Sequence, residues 1–181
     1  MVYCFLAPGF EELEAIAPID LLRRAGLTVT TVGVGEKTVC GSHGIPVTAD
    51  VTADAIVLDD SLEAVILPGG MPGTLNLEQS PAVQKAIDFA AANGKLLCAI
   101  CAAPSVLGHK GLLNGKQATA YPGFEADLTG AALSDRFVVT DGNRITARGA
   151  GVAVEFGLAI ITALKGAAAA ERIRKSIQCL P

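Results

Sequence analysis

Short, fully apolar runs alternate along the chain with stretches in which apolar side chains recur every three or four residues. The runs at 2–6, 64–67 and 96–100 show no apolar–polar alternation, which is typical of strands buried on both faces of a sheet. The segment 28–34 is rich in β-branched residues and predicts a further strand. Helical spacing with Pro or Gly stops predicts helices over residues 11–24, 81–92, from about 102, 151–164 and 167–178.

The remaining segments predict turns and short strands. Glycines and a proline within 39–51 indicate a hairpin or a short excursion from the sheet, and a short strand is predicted at 117–120. Strands at 136–140 and 144–148 flank an Asp-Gly-Asn turn signal. Strand–helix–strand order with short connections favours parallel pairing and right-handed crossovers. We therefore expect residues 1–181 to form one flavodoxin-like α/β domain, with helices on both faces of a mostly parallel sheet.

Composition and charge exclude several classes of function. The 181 residues carry 14 Lys and Arg against 18 Asp and Glu, a formal net charge of −4, with no basic stripe for a nucleic acid. Mean hydropathy is +0.47, yet no apolar run reaches the ~18 residues of a membrane span. The first apolar run has no basic segment before it, so we expect no signal peptide and a cytoplasmic location. The five cysteines, an odd number, predict reduced thiols rather than a disulfide framework.

The most informative segment is LLCAICAAP at 96–104. Cys101 stands where a buried strand meets a helix, and the small residues Ala99 and Ala103 lie two positions away on either side. This is a relaxed nucleophile elbow, in which a tight turn demands small neighbours. We expect the helix N-terminus to stabilise the thiolate and to lower the thiol pKa; the alternative is an ordinary buried cysteine. Cys98 completes a C-x-x-C pattern, but it falls on the core side of the strand and is interpreted as packing.

Two other strand ends carry candidate chemistry. Acidic residues in a first helical turn suit the helix dipole, which explains Glu11 and Glu12. Glu14 lies one turn further and could reach across the carboxyl edge of the sheet, where burial and a neighbouring thiolate would raise its pKa and keep it protonated. The paired glycines Gly69 and Gly70 could offer backbone N–H groups to an oxyanion, or form a plain turn.

Metal and cofactor motifs are missing from the sequence. His43 and His109 are the only histidines, and they are not spaced as zinc ligands. His109 lies near the end of the helix that follows Cys101, where a cation suits the helix dipole. Neither a dinucleotide loop nor a phosphate loop is present, because the Gly-Lys pair at 115–116 is followed by Gln. We expect no metal and no cofactor.

Five motifs, in this order, resemble the ThiJ/PfpI superfamily, in its parkinsonism-associated deglycase branch. They are APGFEELEA at 7–15, DLLRRAG at 20–26, LPGG at 67–70, AICAAP at 99–104 and RGAG at 148–151. The resemblance covers nearly the whole chain and implies a flavodoxin-like fold and a homodimer. It also implies roles for individual residues: Cys101 as the reactive, redox-sensitive nucleophile, Glu14 as a protonated carboxyl bonded to it, Gly69, Gly70 and Ala102 as backbone donors, Arg24 and His43 near the site or the dimer interface, and Arg148 as a structural residue at a helix start.

The sequence departs from the family pattern at two positions. Tyr121, before Pro122, stands where some relatives have a pocket histidine, and His43 stands where a pocket arginine is common. A mechanism that needs imidazole as a proton shuttle is therefore in doubt, and Glu14 or Tyr121 would have to move the proton. A tyrosine is a poor base near neutral pH because its ordinary pKa is ~10.

Three functions remain open at this point. The first is a cofactor-independent glyoxalase or deglycase, in which the Cys101 thiolate adds to a small reactive carbonyl such as methylglyoxal or glyoxal, or to an early glycation adduct, and a 2-hydroxy acid is released. The second is a non-catalytic redox sensor or stress chaperone, through oxidation of Cys101 to sulfinate. The third is an amidase- or peptidase-type hydrolase, which the absence of a histidine after His109 and the alanine at 102 disfavour.

Overall fold

The computed structural model describes residues 1–179. Its eleven strands are β1 Val2–Leu6, β2 Val29–Gly33, β3 Thr38–Cys40, β4 Pro46–Thr48, β5 Val51–Thr52, β6 Ala64–Leu67, β7 Leu96–Ile100, β8 Gln117–Ala118, β9 Ala132–Leu133, β10 Val138–Asp141 and β11 Arg144–Ala147. Its six α-helices are α1 Glu12–Arg24, α2 Gly73–Gln79, α3 Pro81–Ala92, α4 Pro104–His109, α5 Ala153–Lys165 and α6 Ala167–Ser176, and 3-10 turns cover Glu125–Asp127 and Ala150–Val152.

Seven strands form the central sheet in the order β10-β11-β7-β6-β1-β2-β5. All neighbours pair in parallel except β10 and β11, which form the predicted antiparallel hairpin. The five long parallel strands therefore run 2-1-3-4-5 in their own sequence order, the flavodoxin-like arrangement, and place their carboxyl ends along one edge. The expected α/β fold class is confirmed.

Helices cover both faces of the sheet because alternate side chains of each buried strand point to opposite sides. On one face, Cys4, Ile66 and Cys98 pack with apolar residues of α1, α5 and α6. On the other face, Phe5 and Leu97 pack with α2, α3 and α4. Both faces are buried, which explains the uninterrupted apolar runs of the sequence and its high mean hydropathy.

Several predicted elements are shorter or placed differently. The segment 39–51 does contain a hairpin, β3 with β4, and then adds β5 to the edge of the main sheet. The post-elbow helix begins at Pro104 rather than Ala102, so three turn residues separate strand and helix. The strand predicted at 117–120 covers Gln117–Ala118 and pairs with β9 outside the main sheet.

The helix α2 was not predicted from the pattern. It has only seven residues, begins at Gly73 and has no side-chain cap at its N-terminus, so it carries none of the usual start signals. Within residues 1–179, no helix combines the length and apolar character needed to cross a membrane.

Candidate active site

Four parallel strands deliver the site to one edge of the sheet. β1 leads to the helix with Glu14, β6 to Gly69 and Gly70, β7 to Cys101, and β11 to the loop at Gly149. Since parallel strands end at the same edge, segments far apart in sequence meet there.

Cys101 occupies a strained turn directly after β7. Its φ is +65°, a left-handed conformation that residues other than glycine seldom adopt. Backbone hydrogen bonds hold this geometry, because its N–H donates to the carbonyl of Ala147 at 2.9 Å and its own carbonyl accepts from Tyr121 at 2.8 Å. Ala99 and Ala103 are fully buried beside it. The elbow expected from the small neighbours is therefore present.

Glu14 points into the edge of the sheet, as its position predicted. Its side chain is 1% exposed, and Oε2 accepts a hydrogen bond from the backbone N–H of Gly69 at 2.9 Å. The other oxygen, Oε1, is buried and has no hydrogen-bond partner of good geometry within residues 1–179. Glu11 caps the same helix, since its carboxylate accepts from the N–H of Glu14 at 2.7 Å. One carboxyl oxygen of Glu14 is thus fixed and the other is available.

Glycines bring the backbone of the β6 loop against the elbow. A Cβ on Gly69 would lie 2.6 Å from the Cβ of Cys101 and 2.7 Å from Oε2 of Glu14. The N–H of Gly69 is already donated to Glu14, so of the three expected donors it is not directed at an oxyanion. The N–H groups of Gly70 and Ala102 instead face the sulfur and lower the pKa of the thiol. Gly70 and Ala102 are therefore the candidate donor pair.

The two ionisable groups shift each other. Burial, opposed by the neighbouring Cys101 thiol and reinforced by the charge of Glu11, raises the pKa of Glu14 to about 7. Burial, with the charge of Glu14 and a hydrogen bond to it, raises the pKa of Cys101 to about 12. The raised Glu14 pKa agrees with the expectation from sequence. The expected lowering of the thiol pKa by the helix N-terminus is wrong in direction, because desolvation and a facing carboxylate outweigh two backbone donors.

A cavity of about 470 Å³ opens beside the segment 148–152 that follows β11. Tyr121, Arg148 and Gly149 line it, and a Cβ on Gly149 would lie 3.3 Å from the Tyr121 ring and 3.9 Å from Oε1 of Glu14. Tyr121 is half exposed at the mouth. Tyr121, which stands where some relatives have a pocket histidine, is therefore a wall of this cavity.

Arg24 lies away from this cluster. It is ten residues beyond Glu14 on the same helix, a rise of about 15 Å along the axis, and it pairs with Asp20 at 2.7 Å. It lines a separate surface depression formed with the C-terminal helix. The structure does not bring Arg24 to Cys101 within the chain.

His43 lies on the neighbouring β3–β4 loop, and its side chain is 70% exposed. Its backbone N–H and Nδ1 contact the two oxygens of Glu12 at 2.8 and 2.9 Å. Burial would raise the pKa of Glu12, but the hydrogen bonds from the loop prevail and leave it at about 2. Glu11, Glu12 and His43 place ligand atoms within 4.8 Å of one another, yet Glu12 is occupied as a clamp for the loop. That the protein binds no metal stays a prediction from the sequence.

Cys98, the first cysteine of the C-x-x-C pattern, packs in the core. Cys98 is fully buried, and burial raises its pKa well above the ordinary value. Such a thiol has little thiolate for redox exchange, and unlike Cys101 it has neither a carboxyl nor backbone donors among the groups that shift its pKa. The interpretation of Cys98 as a core residue agrees with this placement.

Two cavity residues were not assigned to the site from sequence. Phe137 is 62% exposed, and the Arg148 guanidinium lies 5.6 Å from the centre of its ring. Arg148 does stand just before a 3-10 turn, as expected, but it also lines the cavity. Its position directly after β11, at the carboxyl edge, was the available signal. Phe137 precedes an edge strand and carried none.

The chain is similar in sequence and in structure to known proteins. Residues 1–163 match the model of the DJ-1/PfpI family. Protein dj-1beta of Drosophila melanogaster is 40% identical over 176 residues, which cover 95% of this chain and 93% of that protein. Deglycase PH1704 of Pyrococcus horikoshii is 34% identical over 78% of this chain and 86% of its own length. The solved structure of oxidized Toxoplasma gondii DJ-1 is 34% identical and superposes with a TM-score of 0.94, covering 99% of this chain and 98% of that one.

Proposed function

Because the chain belongs to the DJ-1/PfpI family, we propose that it is a cofactor-independent cysteine enzyme that converts methylglyoxal and related 2-oxoaldehydes to 2-hydroxy acids. The single observation that carries the proposal is the pairing of Cys101 with Glu14, a buried carboxyl whose pKa is about 7. A general base works best when its pKa lies near the working pH. The similarity to a protein named a deglycase supports an enzymatic role of the deglycase kind.

The first step joins sulfur to the aldehyde carbon. Burial holds the thiol protonated at rest, since its pKa is about 12. Glu14, about half ionised near neutrality, takes that proton as sulfur attacks, and the developing alkoxide faces the N–H groups of Gly70 and Ala102. Return of the proton from Glu14 to this oxygen gives the hemithioacetal and frees the carboxylate.

The second step is an internal oxidation and reduction. Glu14 removes the hydrogen on the former aldehyde carbon as a proton, an enediol forms, and the proton is returned to the adjacent carbon. The first carbon becomes a thioester and the second becomes an alcohol, so no outside oxidant or reductant is consumed. Water then cleaves the thioester, which releases lactate from methylglyoxal and restores the thiol of Cys101.

This route needs no imidazole. Oε1 of Glu14 is buried without a hydrogen-bond partner of good geometry within residues 1–179, and it faces the cavity wall at Gly149. Gly69 therefore positions one carboxyl oxygen. Hydrogen bonds from the Cys101 thiol and the backbone of Ala150 lower the pKa of the same carboxyl, so the thiol proton has a direct route to Glu14. Tyr121 serves as a wall rather than as the base.

The test is turnover of methylglyoxal in heavy water by the wild type and Glu14→Gln. We expect lactate with deuterium on its second carbon from the wild type, because a proton on Glu14 exchanges with solvent. Glu14→Gln is expected to lose at least a hundredfold in kcat, within the range for general-base removal. Glu12→Gln, a matched carboxyl in the same helical turn, should retain activity. Full activity of Glu14→Gln would remove this residue from the mechanism.

A second candidate function has its own supporting observation. The donors Gly70 and Ala102 face the sulfur, so they could also hold the oxygens of a sulfinate and make Cys101 a redox sensor. Cys40 is exposed and provides an internal comparison. Peptide mass spectrometry after graded peroxide should show sulfinate at Cys101 before Cys40 if sensing is the function. Equal oxidation of both would count against it.

A further inference from the structure

The cavity beside the segment 148–152 is larger than methylglyoxal requires. It measures about 470 Å³, which is the size of sites for drug-sized ligands. Methylglyoxal has five heavy atoms and would leave most of this space unfilled. Its one carbon substituent, the methyl group, is attached to the ketone carbon, the end that faces away from sulfur in the hemithioacetal.

The walls of the cavity are aromatic and flat. Tyr121 and Phe137 are 50% and 62% exposed and line the same cavity, so they form a shared exposed apolar patch. Arg148 lies over the Phe137 ring at 5.6 Å, and its Nε is buried without a hydrogen bond within residues 1–179. Val152 completes the apolar lining. Two rings, an aliphatic side chain and a guanidinium plane present the surface that a planar aromatic group packs against.

The cavity adjoins the reacting groups across Gly149. Tyr121 donates its backbone N–H to the carbonyl of Cys101, and Gly149 separates its ring from Oε1 of Glu14 by ordinary contact distances. A substituent on the carbon that receives the proton from Glu14 would therefore extend past Gly149 toward Tyr121 and the rest of this cavity.

We propose that this cavity is a subsite for an aryl substituent, so that the preferred substrates are aromatic 2-oxoaldehydes. The proposal rests on the proposed function and adds the substrate class. For phenylglyoxal the balance is unchanged: the aldehyde carbon is oxidised to a carboxylate, the ketone carbon is reduced to an alcohol, and one water is added to give mandelate.

The kinetic test compares kcat/KM for phenylglyoxal and methylglyoxal in the wild type, Phe137→Ser and Leu133→Ser. Leu133 is 58% exposed and lies outside the cavity, so it matches Phe137 in exposure and in the change made. Using the ratio of the two substrates cancels their different intrinsic reactivity. We expect Phe137→Ser to lower the phenylglyoxal-to-methylglyoxal ratio about tenfold, as loss of an aromatic contact implies, and Leu133→Ser to leave the ratio unchanged.

A binding test separates this inference from the enzymatic proposal. Calorimetry with Cys101→Ala should show mandelate binding at least tenfold tighter than lactate, and adding Phe137→Ser should bring the two within about twofold. If the wild type converts neither aldehyde but this binding pattern holds, the enzymatic proposal fails and the aryl subsite stands. Equal binding of mandelate and lactate to Cys101→Ala overturns the subsite. So does an unchanged substrate ratio in a Phe137→Ser protein that keeps the fold and oligomeric state of the wild type.

Discussion

Gly69 and Cys101 approach so closely that no side chain fits between them: a Cβ on Gly69 would lie 2.6 Å from the Cβ of Cys101. This contact puts the β6 loop against the elbow and lets the N–H of Gly69 hold Glu14 at 2.9 Å. The distance between the thiol and its base is thus set by a glycine in the loop after β6.

Gly69→Ala should therefore damage both stability and catalysis. Overpacking of this kind costs about 1–3 kcal/mol, and displacement of Glu14 should lower methylglyoxal turnover by at least tenfold. Urea unfolding and a lactate assay check the two effects. Gly151→Ala is the stability control, because a Cβ there meets no atom within 4 Å. If Gly69→Ala were as stable and active as the wild type, the close contact would not be a constraint.

The left-handed conformation of Cys101 predicts a difference between two variants that both lack the thiol. Glycine adopts φ near +65° without strain, whereas alanine does not. The free energy of unfolding of Cys101→Gly, measured in urea, should therefore exceed that of Cys101→Ala by about 1 kcal/mol. Equal stability would show that the elbow carries no strain from its Cβ.

Ionisation of the buried Glu14 should make the folded protein less stable as pH rises. Its folded pKa of about 7 exceeds the ordinary 4.5, so its contribution is fully present below pH 4.5 and is lost as pH rises to about 7. Glu14→Gln should consequently be more stable than the wild type at pH 8, by about 3 kcal/mol at 1.36 kcal/mol per pKa unit. Urea titrations should show this difference in unfolding free energy between Glu14→Gln and the wild type disappearing near pH 4.5.

The neighbouring Glu12 should show the opposite slope. Its pKa of about 2 lies below the ordinary value, so its contribution is present above pH 4.5 and is lost as pH falls toward 2. Glu12→Gln should thus flatten the fall of the unfolding free energy with decreasing pH in the same urea titrations.

A Glu14→Gln protein whose stability follows the wild type at every pH would contradict the raised pKa of Glu14.

Helix α1 offers a surface for the homodimer that the family resemblance implies. Leu13 and Ile16, one turn apart, are 62% and 43% exposed. A second copy of the chain would cover them, since most symmetric dimers bury the same apolar patch from each subunit. Analytical ultracentrifugation should find a dimer that Leu13→Lys dissociates. Val57→Lys, 60% exposed elsewhere, should leave it intact; a monomeric wild type at micromolar concentration would contradict the dimer.

Sequence pattern was sufficient where the physics is local. β1, β6, β7 and α3 have the predicted bounds because buried apolar runs and Pro or Gly stops define them. The strand ends then place Glu14, the glycine loop and Cys101 at one edge by topology alone. The sequence motifs therefore predicted the meeting of these segments.

Properties that depend on packing were not predicted. The direction of the Cys101 pKa shift follows from desolvation and a facing carboxylate, neither of which the helix-dipole argument includes. The distance of Arg24 from the site follows from the length of α1. The aromatic cavity combines Tyr121 with Phe137, which only the folded chain brings together.

The most direct test of the central claim is lactate formation from methylglyoxal by the purified wild type and by Cys101→Ala at pH 7.5. The account predicts lactate from the wild type at a rate proportional to enzyme concentration, and none above the protein-free control from Cys101→Ala. Equal lactate from both proteins, or none from either, would contradict the assignment of Cys101 as the nucleophile of a carbonyl-converting enzyme.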